Sequence, residues 1–165
     1  LTDLRYLSLN WTGTSDAGIK HLEKLTNLEV LYLCETKVGD TSLASLGPMQ
    51  KLQWLDLRGT KVTDAGLPHL GKLPQLRLLS LYGIPMTDVG VPALTELSSL
   101  EVLTLAQTPV TDAGLRPLAR LLKLKDLDLE GSKATPAGIA ELQRLLPNCR
   151  LRFQTAPPQV IDIEE

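Results

Sequence analysis

The sequence is poor in cysteine, in aromatic side chains, in net charge and in long apolar runs, and each shortage removes a class of protein. Two cysteines occur in 165 residues, so no disulfide framework holds the chain. On the repeat described below, Cys34 and Cys149 fall about five strand spacings apart, roughly 24 Å at ~4.8 Å per strand, beyond the reach of a bridge. With no cysteine-rich end caps in view, an intracellular, reducing compartment is favoured over an extracellular one, and the location is otherwise unassigned. A formal charge of −2 and no run of Lys or Arg leave nothing to draw in a phosphate backbone or an anionic lipid surface. No nucleic-acid partner is expected. No segment reaches the ~20 apolar residues of a membrane helix, and no charged stretch followed by an apolar one opens the chain. A soluble protein without membrane attachment is expected.

Catalytic and ligand-binding motifs are also lacking. There is no His-x-x-x-His, no paired Cys-x-x-Cys, no glycine-rich phosphate loop and no Gly-x-Ser-x-Gly elbow. His21 and His69 occupy equivalent positions two repeats apart, too far to share a metal at bonds of ~2 Å. Cys34 reads as a small residue on a sheet face. These features predict no enzyme, no cofactor and no metal.

What the chain does contain is a repeat. Leu4-Arg5-Tyr6-Leu7-Ser8-Leu9 returns as Leu28 to Leu33, Leu52 to Leu57, Leu76 to Leu81, Leu100 to Leu105 and Leu124 to Leu129, each 24 residues on, and all eighteen key positions are Leu. Within Leu-x-x-Leu-x-Leu the period-two alternation sends leucines to one face of a short strand and variable residues to the other. A turn follows, with Thr at the ninth position (Thr12, Thr36, Thr60, Thr108; Ser132 and Ile84 depart). Then comes Thr-Asp-Ala-Gly-Leu or a near copy, which reads as a helix start: a hydroxyl to cap free N–H groups and a carboxylate favoured by the helix dipole. Leu67, Leu70 and Leu73 then place an apolar stripe on a short helix, while Pro68 and Pro92 predict a late start in their repeats. Six buried leucines at roughly 1.5–3 kcal/mol each do not offset ordering 24 residues at about 1.5 kcal/mol apiece. The units must therefore stack.

Leu-x-x-Leu-x-Leu followed by Thr-x-Val-Thr-Asp-Ala-Gly-Leu-x-x-Leu resembles the leucine-rich repeats of the ribonuclease-inhibitor-like class. It is similar above all to those of bacterial, including planctomycete, proteins and to the cysteine-containing repeats of F-box proteins. The resemblance covers residues 1 to about 153. It implies an α/β right-handed solenoid, a horseshoe with a parallel β-sheet on the concave face and short helices on the convex face. The usual Asn at the ninth position is replaced by Thr or Ser.

The chain starts at Leu1 in mid-pattern, so it reads as an excerpt whose first strand presents an uncapped edge able to self-associate. Residues 1–153 form the repeat domain, six 24-residue repeats and a closing half-repeat in which Leu151 and Phe153 take strand-leucine positions. Residues 154–165, with Pro157-Pro158, read as an extended or disordered tail.

All the Trp and Tyr fall at outward strand or ascending-loop positions: Tyr6, Trp11, Tyr32, Trp54 and Tyr82. Arg58 shares their surface. Solvent-facing aromatics gathered on one face are the residue types that dominate interface hot spots. Asp126, Asp128 and Glu130 alternate on one strand as an acidic patch flanked by Lys125. The expected function is a protein-interaction module binding a protein partner on its concave face, with affinity from Trp54, Tyr32 and Tyr82, orientation from Arg58, Asp56 and Asp128, and Tyr6, Trp11 and Asp126 among the other partner-binding residues. The alternatives are a structural spacer or self-associating segment, and the substrate-recruiting arm of a larger, ubiquitin-ligase-like assembly.

Overall fold

A computed structural model describes residues 2–153; the tail expected over 154–165, like Leu1, lies outside the described residues. Each leucine motif supplies one three-residue strand: β1 (Tyr6–Ser8), β2 (Val30–Tyr32), β3 (Trp54–Asp56), β4 (Leu78–Ser80), β5 (Val102–Thr104), β6 (Asp126–Asp128) and β7 (Arg150–Arg152). They form one parallel sheet in chain order, with Leu7 opposite Leu31, Leu31 opposite Leu55, and so on to Leu127 opposite Leu151. The return leg of each repeat carries a short helix: α1 (Asp16–Lys20), α2 (Asp40–Ser45), a 3₁₀ helix (Leu67–Lys72), α3 (Val91–Leu94), α4 (Asp112–Leu118) and α5 (Pro136–Leu145). The repeats that carry Pro68 and Pro92 do start late, at Leu67 and Val91, where Pro occupies the first turn and no hydrogen bond is lost. Strands pair at ~4.8 Å while helices need ~8–10 Å, so the solenoid bends with its sheet on the concave side.

The core lies between sheet and helices. The inward leucines of β2 to β6 are fully buried, and Leu67, Leu70 and Leu73 meet them from the helical side. Leu4, Leu7 and Leu9 of the first repeat are only half-buried. Thr at the ninth position ties off the strand end: Thr36, Thr60 and Thr108 donate to the carbonyls of Leu33, Leu57 and Leu105 at 2.6–2.7 Å. The hydroxyl replaces an Asn side chain by closing the turn within its own repeat rather than bridging to a neighbour.

The Thr-Asp-Ala-Gly segment does more than start a helix. Thr111 and Thr135 cap α4 and α5 as expected, but the Asp side chain reaches into the next repeat. Asp40 accepts from the N–H and hydroxyl of Thr63 (2.7 and 2.8 Å), Asp88 from those of Thr111 (2.8 and 2.6 Å), and Asp112 from those of Thr135 (both 2.7 Å). The hydroxyl and N–H of Thr135 hold Asp112 below the usual carboxylate range. Glycine is required because the neighbour's carboxylate occupies the space of a side chain: a Cβ on Gly66 or Gly114 would sit 2.5 Å from the Oδ1 of Asp40 or Asp88. The second repeat exchanges the two residue types. Gly39 stands in the Thr position and Ser42 in the Gly position, and Ser42 supplies to Asp16 the hydroxyl that Thr supplies elsewhere, alongside the Gly39 N–H at 2.7 Å. Burial alone would raise the Asp16 pKa, but the hydrogen bonds from Ser42 and Gly39 outweigh it and the net shift is downward.

Candidate functional site

The parallel register turns the variable positions of the motif into rows across the outward face of the sheet. One row runs Tyr6, Val30, Trp54, Leu78, Val102, Asp126, Arg150, and the next Ser8, Tyr32, Asp56, Ser80, Thr104, Asp128, Arg152. Three of the expected aromatics meet here. Tyr6 and Tyr32 pack with ring centroids 5.4 Å apart and planes tilted by 60°, and Tyr32 meets Trp54 edge-on at 5.4 Å and 63°. This is the separation and tilt that aromatic quadrupoles favour. Tyr6 stays 57% exposed and Trp54 38%, so the stack is ordered without being covered. Tyr32, between them, is half-buried, and burial followed by the nearby Tyr6 and Asp56 pushes its phenol pKa up.

Tyr82 and Trp11 belong to neither ring pair. Tyr82, 45% exposed, continues the row of Arg58 one strand further on, and its carbonyl accepts the Gly59 N–H at 3.1 Å. Trp11, 77% exposed, sits in the turn after β1 with φ of 60°, where later repeats place Gly59, Gly83 and Gly131. A left-handed backbone at a non-glycine residue costs roughly 1–2 kcal/mol.

The charged residues depart from the expected picture. Asp56 is 2% exposed and so offers a partner almost no surface. Its carboxylate is gripped by Arg58, which donates from Nε at 3.0 Å to both oxygens and from Nη2 to Oδ2 at 2.8 Å. A carboxylate that deep is stable only with a fixed counter-charge; Asp56 therefore positions Arg58, whose side chain is half-exposed. Asp126 and Asp128 do not form a free acidic patch either. Arg152, on β7, donates to Asp126 Oδ1 at 3.0 and 2.8 Å and lies 3.8 Å from Asp128 Oδ2. The closing half-repeat itself neutralises that end. Cys34 is buried in the turn after β2 rather than on the sheet face where it was expected, and burial, then the nearby Asp56, raises its thiol pKa; Cys149 is pushed to about 11 by burial.

Val30, Leu78 and Val102 extend the Trp54 row, although none contains an aromatic ring to draw notice. With Trp54 they floor an open hollow of about 280 Å³ whose lower wall is Glu29, Gln53, Arg77 and Glu101. The register of 24 was the signal that would have found them: three apolar residues at the outward position equivalent to Trp54. Among the described residues no three His, Cys, Asp or Glu side chains converge as a metal site, and no helix is long and apolar enough to cross a membrane.

Parallel three-residue strands at a constant spacing, a leucine core and one short helix per turn define a leucine-rich repeat solenoid. Solved structures agree. The chain superposes on the internalin inlF of Listeria monocytogenes with a TM-score of 0.71 at 21% identity, covering 95% of this chain and 49% of that one. It superposes on the internalin C2 (inlC2) of the same organism with a TM-score of 0.65 at 26% identity, covering 94% and 76%. The chain thus spans about half the length of the first of these leucine-rich repeat proteins. No protein-family model matches the sequence, and no curated protein does.

Proposed function

We propose that this chain is a non-enzymatic protein-interaction module whose docking surface is the outward sheet face of β1 to β5. The observation that carries the reading is the Tyr6–Tyr32–Trp54 stack, ordered by tilted and edge-on ring contacts with Tyr6 and Trp54 left exposed and continuous with the apolar hollow over Val30, Leu78 and Val102. Rigid aromatics with apolar surroundings lose little entropy when a partner covers them. Arg58, held by Asp56, adds a pre-oriented guanidinium beside the stack, and Tyr82 extends the surface. The Thr-Asp-Ala-Gly-Leu segment and a helical return leg support reading these leucine-rich repeats as akin to the ribonuclease-inhibitor-like class.

The test is a partner trapped by photo-crosslinking from position 82 and then titrated against point variants. Trp54→Ala is expected to weaken binding about 30-fold or more, the effect of losing a ~2 kcal/mol hot spot, with unchanged circular dichroism and urea midpoint. Affinity equal to that of the parent would overturn the assignment of this face.

A further inference from the structure

The rim below the apolar hollow carries a charge opposite to that of the chain. At the start of the strands the second residues of the repeats form a ladder in which Arg5 meets Glu29 at 2.6 Å, Arg77 meets Glu101 at 2.7 Å, and Lys125 meets the same Glu101 at 2.6 Å. Gln53 divides it. On the β1–β2 side the charges cancel, since Asp3, Arg5, Glu29 and Lys51 line one polar hollow together. On the β4–β6 side they do not: Arg77 and Lys125 both pair with one carboxylate, Glu101, and Lys123 lines the same depression, which leaves a surplus of two positive charges in a chain of net charge −2. Lys125 and then Arg77 hold Glu101 below the usual carboxylate range, so it remains ionised and engaged with both.

This surplus lies against the hollow. The polar depression under Gln75, Ser99 and Lys123 shares Gln53, Arg77 and Glu101 with the apolar one, so a single occupant touches both. The Arg77 and Lys125 side chains are 57% and 69% exposed, and their heads have hydrogen-bonding capacity beyond Glu101. A basic segment would be repelled here, and a polynucleotide would leave the apolar floor uncovered while meeting a chain of net negative charge.

Resting on the assignment of this face as a docking surface, we propose that its occupant is an acidic, apolar-rich segment of a partner protein. The apolar side chains cover Trp54, Leu78 and Val102, and the carboxylates face Arg77, Lys123 and Lys125. The probes are two fluorescein-labelled 12-residue peptides with identical Leu and Phe positions, carrying Asp in one and Lys in the other at the intervening positions. Binding is read by anisotropy at about 0.05 M and 0.5 M salt, which changes the screening length severalfold. The Asp peptide is expected to bind at least tenfold tighter at low salt. That preference should collapse at high salt, invert in the Lys123→Glu/Lys125→Glu double variant, and be accompanied by loss of binding in Trp54→Ala. Equal affinity for the two peptides, both weakened by Trp54→Ala, overturns the acidic preference and leaves the docking face standing. Asp-peptide binding untouched by Trp54→Ala overturns both, and absence of binding by either peptide overturns the proposal. Tighter binding after removal of residues 154–165 would assign the hollow to a segment of this chain itself and likewise overturn it.

Discussion

Gly114 shows how tightly one atom is specified. An exposed helical glycine replaced by Ala commonly gains up to about 1 kcal/mol, because the unfolded chain loses freedom. Here the added Cβ would stand 2.5 Å from Asp88 Oδ1 and 2.9 Å from Val110 Cγ1, and Asp88 is anchored by two hydrogen bonds from Thr111. Gly114→Ala is therefore expected to destabilise by about 1–3 kcal/mol, read as a lower urea midpoint, whereas Gly13→Ala, with nothing within 4 Å of its Cβ, should stay within about 0.5 kcal/mol. Equal midpoints for the two variants would refute the close-approach argument. At this scale the sequence was readable for the ring-bearing residues and less so for charge. Asp56 and Arg58 sit two apart and share a face in a strand, but only the packed sheet shows that the carboxylate is buried under the guanidinium. The counter-ion of Asp126 lies 26 residues on, at Arg152, in a half-repeat recognised for Leu151 and Phe153 while the outward residues between and before them went unread.

Within each repeat, stacking depends on a linked pair of positions: a hydroxyl and N–H offered to the preceding Asp, and a small residue that lets that Asp in. The second repeat satisfies the pair in reverse, with Gly39 and Ser42 exchanged. Ser42→Gly alone removes the hydroxyl from Asp16 and should cost about 1.5–3 kcal/mol, the worth of a hydrogen bond to a charged group. Adding Gly39→Thr should recover most of it, since a Cβ at position 39 meets Asp16 Oδ2 at an ordinary 3.5 Å and rebuilds the arrangement of Asp40 with Thr63. Urea melts of the single and double variants decide it: a double variant no more stable than Ser42→Gly would show that the exchange is not compensatory. The capping role of Thr-Asp-Ala-Gly was legible locally, because a cap acts within one turn. The inter-repeat role was not, because donor and acceptor stand 23 residues apart and only the stacked geometry brings them together.

Across the whole molecule every element packs against its sequential neighbours, strand on strand and helix on helix, so the fold lengthens without rearranging. Three ladders must stay in phase for that to hold: the inward leucines, the Asp-to-Thr bridges, and the outward Arg77–Glu101–Lys125 charges. Duplicating the 48 residues 76–123 directly after Lys123 preserves all three, because the order at the charge row becomes Arg, Glu, Arg, Glu, Lys. Duplicating residues 100–123 alone would instead set two copies of Glu101 side by side, a like-charge contact across strands. Nearest-neighbour stacking predicts that the 48-residue insertion folds cooperatively, with a urea m-value about one third larger in proportion to the added surface, and that the midpoint does not fall. The 24-residue insertion should fold with a lower midpoint that Glu→Gln at the duplicated position restores. An m-value unchanged by 48 added residues, or two separate transitions, would mean that the repeats do not couple as the register implies. The Trp54 face would then have to be stabilised by something other than its neighbours.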